Sequence, residues 1–451
     1  MRSVAPGRSN SADLLLGTAV AAFTALQGII VVAGKSERWA GHWASTSAAL
    51  NWTTVWGCCI VSAAAAWLVA SARRHHYEDL IQTSSRSRFR VYRASLLAVA
   101  LGSLSGYTVV LAYMVSTTRP QATHGHLNLL EVATTAASVL LAIGLGSAVG
   151  RVIPARIAPI SAAVVPYVLY MLLVYGDAYG GSILFSDISL SDQVDRTYLR
   201  MPAELLLGRA VFWAAVGVSL LCCAMLAGRV AFIAVLVASF GLSAVLLTAG
   251  VRLEDAAEYR AICFSGRPTI CVDRAHEHVA DEYVRRIRTG AAAIPGMDLA
   301  ATTVVPHEDP NWQSQLQQSA ESPASQVLFV PIIKHNTSPA HQIDPAALDA
   351  AFGAAMFLKP CQQEAAASGE TGMTDQIRMA VTLYGWWLTT KNMPLDGSNY
   401  PGELDVRSVT AGDPVTAAAL DHFSSLSTTD QAMWIKMNQD RVSKCRALPP
   451  A

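Results

Sequence analysis

The chain is 451 residues long, 52% hydrophobic and only 15% charged, against roughly 25% charged in an ordinary soluble domain, which excludes a plain water-soluble globule. Lys+Arg and Asp+Glu are both 33, a formal net charge of zero, so the basic footprint of a nucleic-acid binder is missing. The balance hides a split: residues 1–252 carry 18 basic and 10 acidic side chains and residues 253–451 carry 15 and 23, as expected of two regions in two environments.

Seven apolar runs occupy the first part, at about 12–34, 49–71, 92–116, 128–150, 157–176, 205–227 and 230–250. Each is long enough to cross a ~30 Å hydrocarbon layer as a helix. The first follows Arg2 and Arg8 but outruns a signal-peptide core, so it is expected to stay as a membrane anchor. The last two are separated only by Gly228-Arg229 and together are too long for one crossing, which predicts a tight helical hairpin. Basic residues in short loops are held on the cytoplasmic side. With the N-terminus inside, eleven fall inside, among them Arg73, Arg74, Arg86 and Arg151, and five outside. The predicted architecture is an α-helical polytopic membrane bundle of about seven spans over 1–252, N-terminus in and C-terminus out. A small extracytoplasmic α+β domain follows over 253–451. The plasma membrane is the expected location and the lipid bilayer the first partner.

Charged side chains within spans are costly and are functional candidates. Glu131 lies near the outer end of the fourth run, and Glu204 and Arg209 near the outer end of the sixth. Two readings stand: a Glu131–Arg209 pair facing a polar cavity, or charges that merely reach the interface. Pro159 and Pro166 interrupt the fifth run, while Gly144, Gly146 and Ser147 read as close-packing positions. Cys58, Cys59, Cys222 and Cys223 sit in membrane runs and read as small packing residues. Cys263, Cys271, Cys361 and Cys445 fall in the outer domain, compatible with two disulfides in any of three connectivities; Cys263–Cys271 with Cys361–Cys445 is the preferred pairing.

Between the second and third runs stands Ala72-Arg-Arg-His-His-Tyr-Glu-Asp-Leu-Ile-Gln-Thr-Ser-Ser-Arg-Ser-Arg-Phe-Arg-Val-Tyr-Arg93. Tyr77 to Gln82 can form a short amphipathic helix, with Tyr77, Leu80 and Ile81 on one face and Glu78 and Asp79 on another. Electrostatics alone make this a basic loop lying on anionic lipid. The order of span, Ala-Arg-Arg, short helix, Leu-x-x-Thr-Ser-Ser-Arg-Ser and Arg-rich next span resembles the region between the second and third spans of type-2 ABC transporter permeases. Gly150-Arg-Val-Ile-Pro-Ala-Arg-Ile-Ala-Pro159 resembles an inner loop of actinobacterial members. The resemblance covers about residues 12–228. It implies a permease-like subunit energised by a separate cytoplasmic ATP-binding-cassette subunit, working as a homodimer or paired permease. It also assigns Arg73, Arg74, Glu78, Asp79, Leu80, Thr83, Ser84, Ser85 and Arg86 to the loop that meets the ATPase. A seventh span and an outer domain depart from that pattern. The competing reading is a seven-span sensor or anchor whose outer domain binds a ligand or protein partner.

In the outer domain, Asp273 to about Ile294 reads as a helix with an Asp start, and Val327 to Ile333 as a short buried strand bent or edged by Pro331. Asp344-Pro345 and Asp413-Pro414 read as helix starts. Ile377, Val381, Tyr384 and Leu388 repeat at helical spacing beside Trp386 and Trp387. Ser427-Thr-Thr-Asp430 opens a last helix carrying Met433, Trp434 and Met437, and all these stripes read as core. Residues 308–325 and 364–374 read as surface loops. No catalytic constellation emerges. Gly28 to Ser36 would need Gly at Ile29 to make a phosphate loop, and His276-Glu277-His278 lacks the spacing that puts two imidazoles on one helical face. His335 and His341 read as exposed, and no Gly-x-Ser-x-Gly elbow is present. The chain is therefore expected to be no enzyme and to need neither metal nor cofactor.

Overall fold

A computed structural model describes residues 7–74, 88–177, 199–200, 202–225, 254–255, 261–306, 326–332, 343–359, 361, 374–395 and 405–443. The chain divides into two compact units, Met1–Tyr259 and Arg260–Ala451.

The first unit is a helical bundle. Its long helices are α1 (Gly7–Ala33), α2 (Trp43–Arg74), α3 (Arg88–Thr118), α4 (Leu129–Val152), α5 (Ala158–Asp177) and α6 (Ala203–Met225). Two short strands, β1 (Leu199–Arg200) and β2 (Glu254–Asp255), also belong to it. Among the described residues, α1 to α4 and α6 contain an apolar stretch long enough to cross a bilayer. The expected fifth span coincides with α5, which runs on through Pro166 and whose sequence stays apolar to Tyr175. The expected seventh run, 230–250, lies outside the described residues. Large apolar side chains such as Leu15, Phe23, Ile30, Leu101 and Ile160 are exposed, as lipid-facing positions must be when the hydrocarbon is the solvent.

Helix directions can be read from the residues that touch. On α1 and α3, Asp13 accepts a 2.5 Å hydrogen bond from the Ser95 hydroxyl, and Gly28 lies against Val110. On α2 and α4, Ser47 accepts from the Asn128 amide at 3.0 Å, Asn51 is bonded to Thr135 and Gly146 lies against Ser62. On α4 and α6, Thr134 reaches Leu206 and Gly144 meets Gly217. Each of these pairs runs in the same direction. Helices α2 and α3 run opposite ways, since Thr46 bonds Thr118 at 2.7 Å while Tyr92 donates to the Val69 carbonyl at 3.5 Å. Gln27 of α1 bonds the Thr53 carbonyl of α2 at 3.3 Å. The bundle is thus a serpentine with α1 and α3 pointing one way and α2, α4 and α6 the other.

Small residues bring the backbones together. A Cβ on Gly144 would sit on the Gly217 carbonyl oxygen, one on Gly146 on the Ser62 carbonyl, and one on Gly150 would lie 2.8 Å from the Ala66 carbonyl. Without a hydrophobic drive between helices in lipid, this close van der Waals approach supplies much of the association energy. The expected packing role of Gly144 and Gly146 is therefore met on two different neighbours.

The second unit holds a four-stranded sheet, β3 (Ala261–Phe264), β4 (Thr269–Asp273), β5 (Thr302–Val305) and β6 (Gln326–Phe329), in that spatial order. Strands β3 and β4 form an antiparallel hairpin, while β4, β5 and β6 are parallel. Helix α7 (Glu277–Ala292) makes the crossover from β4 to β5 and buries Val279, Tyr283, Val284 and Ile287. Helices α8 (Pro345–Gly353, continuing as a π-helical turn to Leu358), α9 (Asp375–Thr390), α10 (Val406–Gly412), α11 (Pro414–Ser425) and α12 (Thr428–Ser443) complete the unit.

The Asp-Pro starts are as expected. Asp344 accepts from the amides of Ala346 and Ala347, and Asp413 from that of Val415. The Thr416 hydroxyl and the Arg378 guanidinium also bond Asp413 and hold its carboxyl below the usual range. The expected 327–333 strand is β6, ending before Pro331. The core stripe of α9 is buried at Val381, Tyr384, Trp386, Trp387 and Leu388, and Ile377 is partly so. On α12 the reading of core holds for Trp434 but not for Met433 and Met437, which are 56% and 70% exposed. The buried face of that helix is set by Gln431, Trp434, Ile435, Asn438 and Val442, which turns both methionines outward. His276 closes the turn that leads into α7. It lies buried with its Nδ1 2.6 Å from the Asp273 carboxylate, which accepts the His276 amide as well.

Cys263 and Cys271 are joined by a disulfide across the hairpin. Cys361 is also disulfide-bonded, and its expected partner Cys445 lies outside the described residues. Cys263→Ser is expected to lower the stability of this unit by about 2–3 kcal/mol through the freed loop, read as a fall in melting temperature. An unchanged melt would mean that the hairpin is held entirely by its other contacts.

Candidate functional site in the helical bundle

Two aromatic anchors mark the ends of the bundle. Lys35 lies 3.9 Å over the Trp52 ring and Arg74 3.5 Å over that of Trp67. The tryptophans are fifteen residues apart on α2, about 22 Å along the axis, and amphipathic rings with a cation alongside belong at membrane–water boundaries.

Near the Trp52 end, polar groups collect where α2, α4 and α6 meet. The Thr135 hydroxyl lies 2.6 Å from Asn51 Oδ1 and 3.2 Å from the Glu131 carbonyl. Thr134 lies 2.9 Å from the Leu130 carbonyl and 3.5 Å from that of Leu206. Glu131 and Arg209 are 8% and 4% exposed, and both engage further groups. Glu204 is different. It is exposed in the first turn of α6, where a carboxylate complements the positive end of the helix dipole.

Three further intramembrane polar groups carry no signal in the sequence reading, although the rule that flags Glu131 applies equally to a polar residue inside an apolar run. They are Asn51, Gln27 and Tyr107. A Cβ on Gly57 would collide with the Tyr107 hydroxyl and lie 3.4 Å from Gln27 Oε1. Among the described residues neither oxygen has a hydrogen-bond partner.

At the Trp67 end the Arg73 guanidinium donates to the Gly150 carbonyl and, at 2.8 Å, to that of Ile153. This one side chain caps the foot of α4 and ties it to the foot of α2, so Arg73, at the start of the Arg-rich stretch, meets the segment that begins at Gly150. Arg74 instead turns back onto Trp67, donating to its carbonyl at 2.9 Å. Glu78, Asp79, Leu80, Thr83, Ser84, Ser85 and Arg86 lie outside the described residues.

The sixth helix adds a topological fact. Leu199–Arg200, just ahead of α6, pair antiparallel with Glu254–Asp255. Met225, at the other end of α6, is about 34 Å away along a 23-residue helix. The chain that leaves α6 at the Arg73 end has thus returned to the Trp52 end by Glu254. Among the described residues no group of three His, Cys, Asp or Glu side chains is placed to hold a metal ion. No protein-family model matches the chain, and no match is found among curated proteins or solved structures.

Proposed function

We propose that this membrane protein is the permease-like subunit of a transport complex energised by a separate cytoplasmic ATP-binding-cassette subunit, and that it has no catalytic activity of its own. The observation that carries the reading is the Arg73 clamp. A push on the loop that begins at residue 75 would reach α4 through Arg73 without passing along the helix interior, and α4 carries Glu131 at its far end. Glu131 and Arg209 would pair across the α4–α6 contact and close a polar route that opens when those helices part. The return of the chain by Glu254 supports a seventh crossing and a C-terminal unit on the outer side, with the basic loop inside by the positive-inside rule. There it would receive substrate or gate the route. A homodimer or paired permease completes the proposed complex.

The test is purification of tagged protein from its native host in gentle detergent, with mass spectrometry of what accompanies it. An ATP-binding-cassette subunit should be retained by the wild type and lost when Glu78, Asp79 and Arg86 are replaced by Ala. Arg73→Ala should keep the subunit bound but reduce substrate-stimulated ATP hydrolysis several-fold, while Arg74→Ala should leave it unchanged. Recovery of no ATPase under conditions that preserve other such complexes would replace this reading with that of a membrane sensor or anchor.

A further inference from the structure

The flank of α7 and the hairpin end of β3 border a shallow, open groove of about 650 Å³. Phe264, Val284 and Ala292 give it an apolar floor, and Asp281, Arg285 and Arg288 line its length. Arg288 is held in place by the hairpin, donating to the carbonyls of Phe264 and Ser265 at 3.3 and 2.8 Å. Its Nε is buried and, among the described residues, unpartnered. Arg285 is 71% exposed and only loosely placed against Glu282, at 3.9 Å. Arg267 stands exposed at the hairpin tip. Two guanidinium groups, those of Arg285 and Arg288, thus line one groove in a half of the chain that carries 15 basic and 23 acidic residues.

The groove lies beside an open strand. Among the described residues β3 has a neighbour only on its β4 side. Residues opposed in an antiparallel pair alternate between hydrogen-bonded and non-bonded, the latter being closer. Cys263 and Cys271, opposed at a Cα separation of 4.0 Å, are of the close kind. The amides and carbonyls of Cys263 and Ala261 therefore point to the free edge, and both residues are exposed. From Asp281 to Ala292 the helix flank is about 16 Å long, the span of about five extended residues.

We propose that this groove binds an extended acidic peptide segment, added to β3 as a fifth strand through Ala261 and Cys263 with its carboxylates against Arg285 and Arg288. Strand addition supplies affinity from the main chain and leaves specificity to the side chains, and guanidinium forks match carboxylates in two-point contact. Asp281 at one end of the groove disfavours an acid there, so the acidic positions fall toward the Arg288 end. The inference concerns the second unit alone and does not rest on the transport reading.

The test uses the full chain in lipid nanodiscs as bait for a displayed library of random heptapeptides, with enriched sequences then measured by fluorescence anisotropy. Enrichment of peptides with two or more acidic residues is expected, with binding weakened at least tenfold by Arg285→Glu, whose exposed side chain can be reversed without disturbing the fold. N-methylation of alternate peptide amides should abolish binding, which salt-driven contact alone would not show. No enrichment, enrichment indifferent to Arg285→Glu, or displacement of the peptides by millimolar phenylacetate would each overturn the proposal, the last by assigning the groove to small anions.

Discussion

Gly144→Val is expected to yield no folded, monodisperse protein. The added branched side chain would start on the Gly217 carbonyl oxygen, with the Gly217 carbon atoms at 2.9 Å, and a backbone held in its own helix cannot move aside as a flexible side chain can. Overpacking a core with extra methylenes costs about 1–3 kcal/mol even where side chains can yield. Here α4 and α6 must separate, and their separation would also pull Thr134 away from the Leu206 carbonyl. The control is Gly34→Ala, where the nearest atom is the Ile30 carbonyl oxygen at 3.4 Å, an ordinary contact. Gel filtration and thermal unfolding in detergent should show loss of the Gly144 variant and near-normal behaviour of the Gly34 variant. Survival of both would mean that the α4–α6 approach is looser than the backbone contacts require.

Arg209→Ala is expected to be nearly as damaging: if Arg209 pairs with Glu131 as proposed, its removal leaves a buried carboxylate uncompensated in a low-dielectric interior, at a cost of about 3–5 kcal/mol. Glu131→Gln should cost less, since the amide keeps the shape and one acceptor. The decisive comparison is Glu131→Gln combined with Arg209→Gln. If the two residues pair across the α4–α6 contact, the double variant is more stable than the sum of the single losses by about 0.5–3 kcal/mol. Strict additivity would assign the two residues to separate partners and remove the proposed closure of the polar route.

The lengths of the membrane helices were legible because apolar runs of the required size have few other uses, and α1 to α4 and α6 fall where the runs predict. Their neighbours were not. Which glycine meets which backbone depends on rotation about each helix axis, and Gly144 facing Gly217 while Gly146 faces Ser62 cannot be read from one chain's composition. Glu131 and Arg209 stood out because charge is rare in hydrocarbon. Asn51 and Gln27 did not, since uncharged amides are tolerated more often, yet they form two of the interhelical bonds. In the second unit, the Asp-Pro caps carry their chemistry locally and were legible. Strands β3 and β5 were not, because stretches of only four residues fit a buried helix turn as well as a strand. Met433 and Met437 were misplaced for a related reason. Their spacing is helical, but the face that α12 buries is chosen by the packing of Trp434 against Phe423 at 5.3 Å.

The proposed mechanism depends most on topology: the loop that follows Arg73 and the unit that follows Glu254 must lie on opposite sides of the membrane. Single cysteines placed at Ser84 and at Met437, each in a chain whose Cys58, Cys59, Cys222 and Cys223 are replaced by Ser, can be labelled in intact cells with a membrane-impermeant maleimide. Immediate labelling is expected at the Met437 position, which is exposed on α12, and labelling at the Ser84 position only after the membrane is permeabilised. Labelling of both positions from the same side would contradict this topology, and with it the proposed division between an energised inner loop and an outer binding unit.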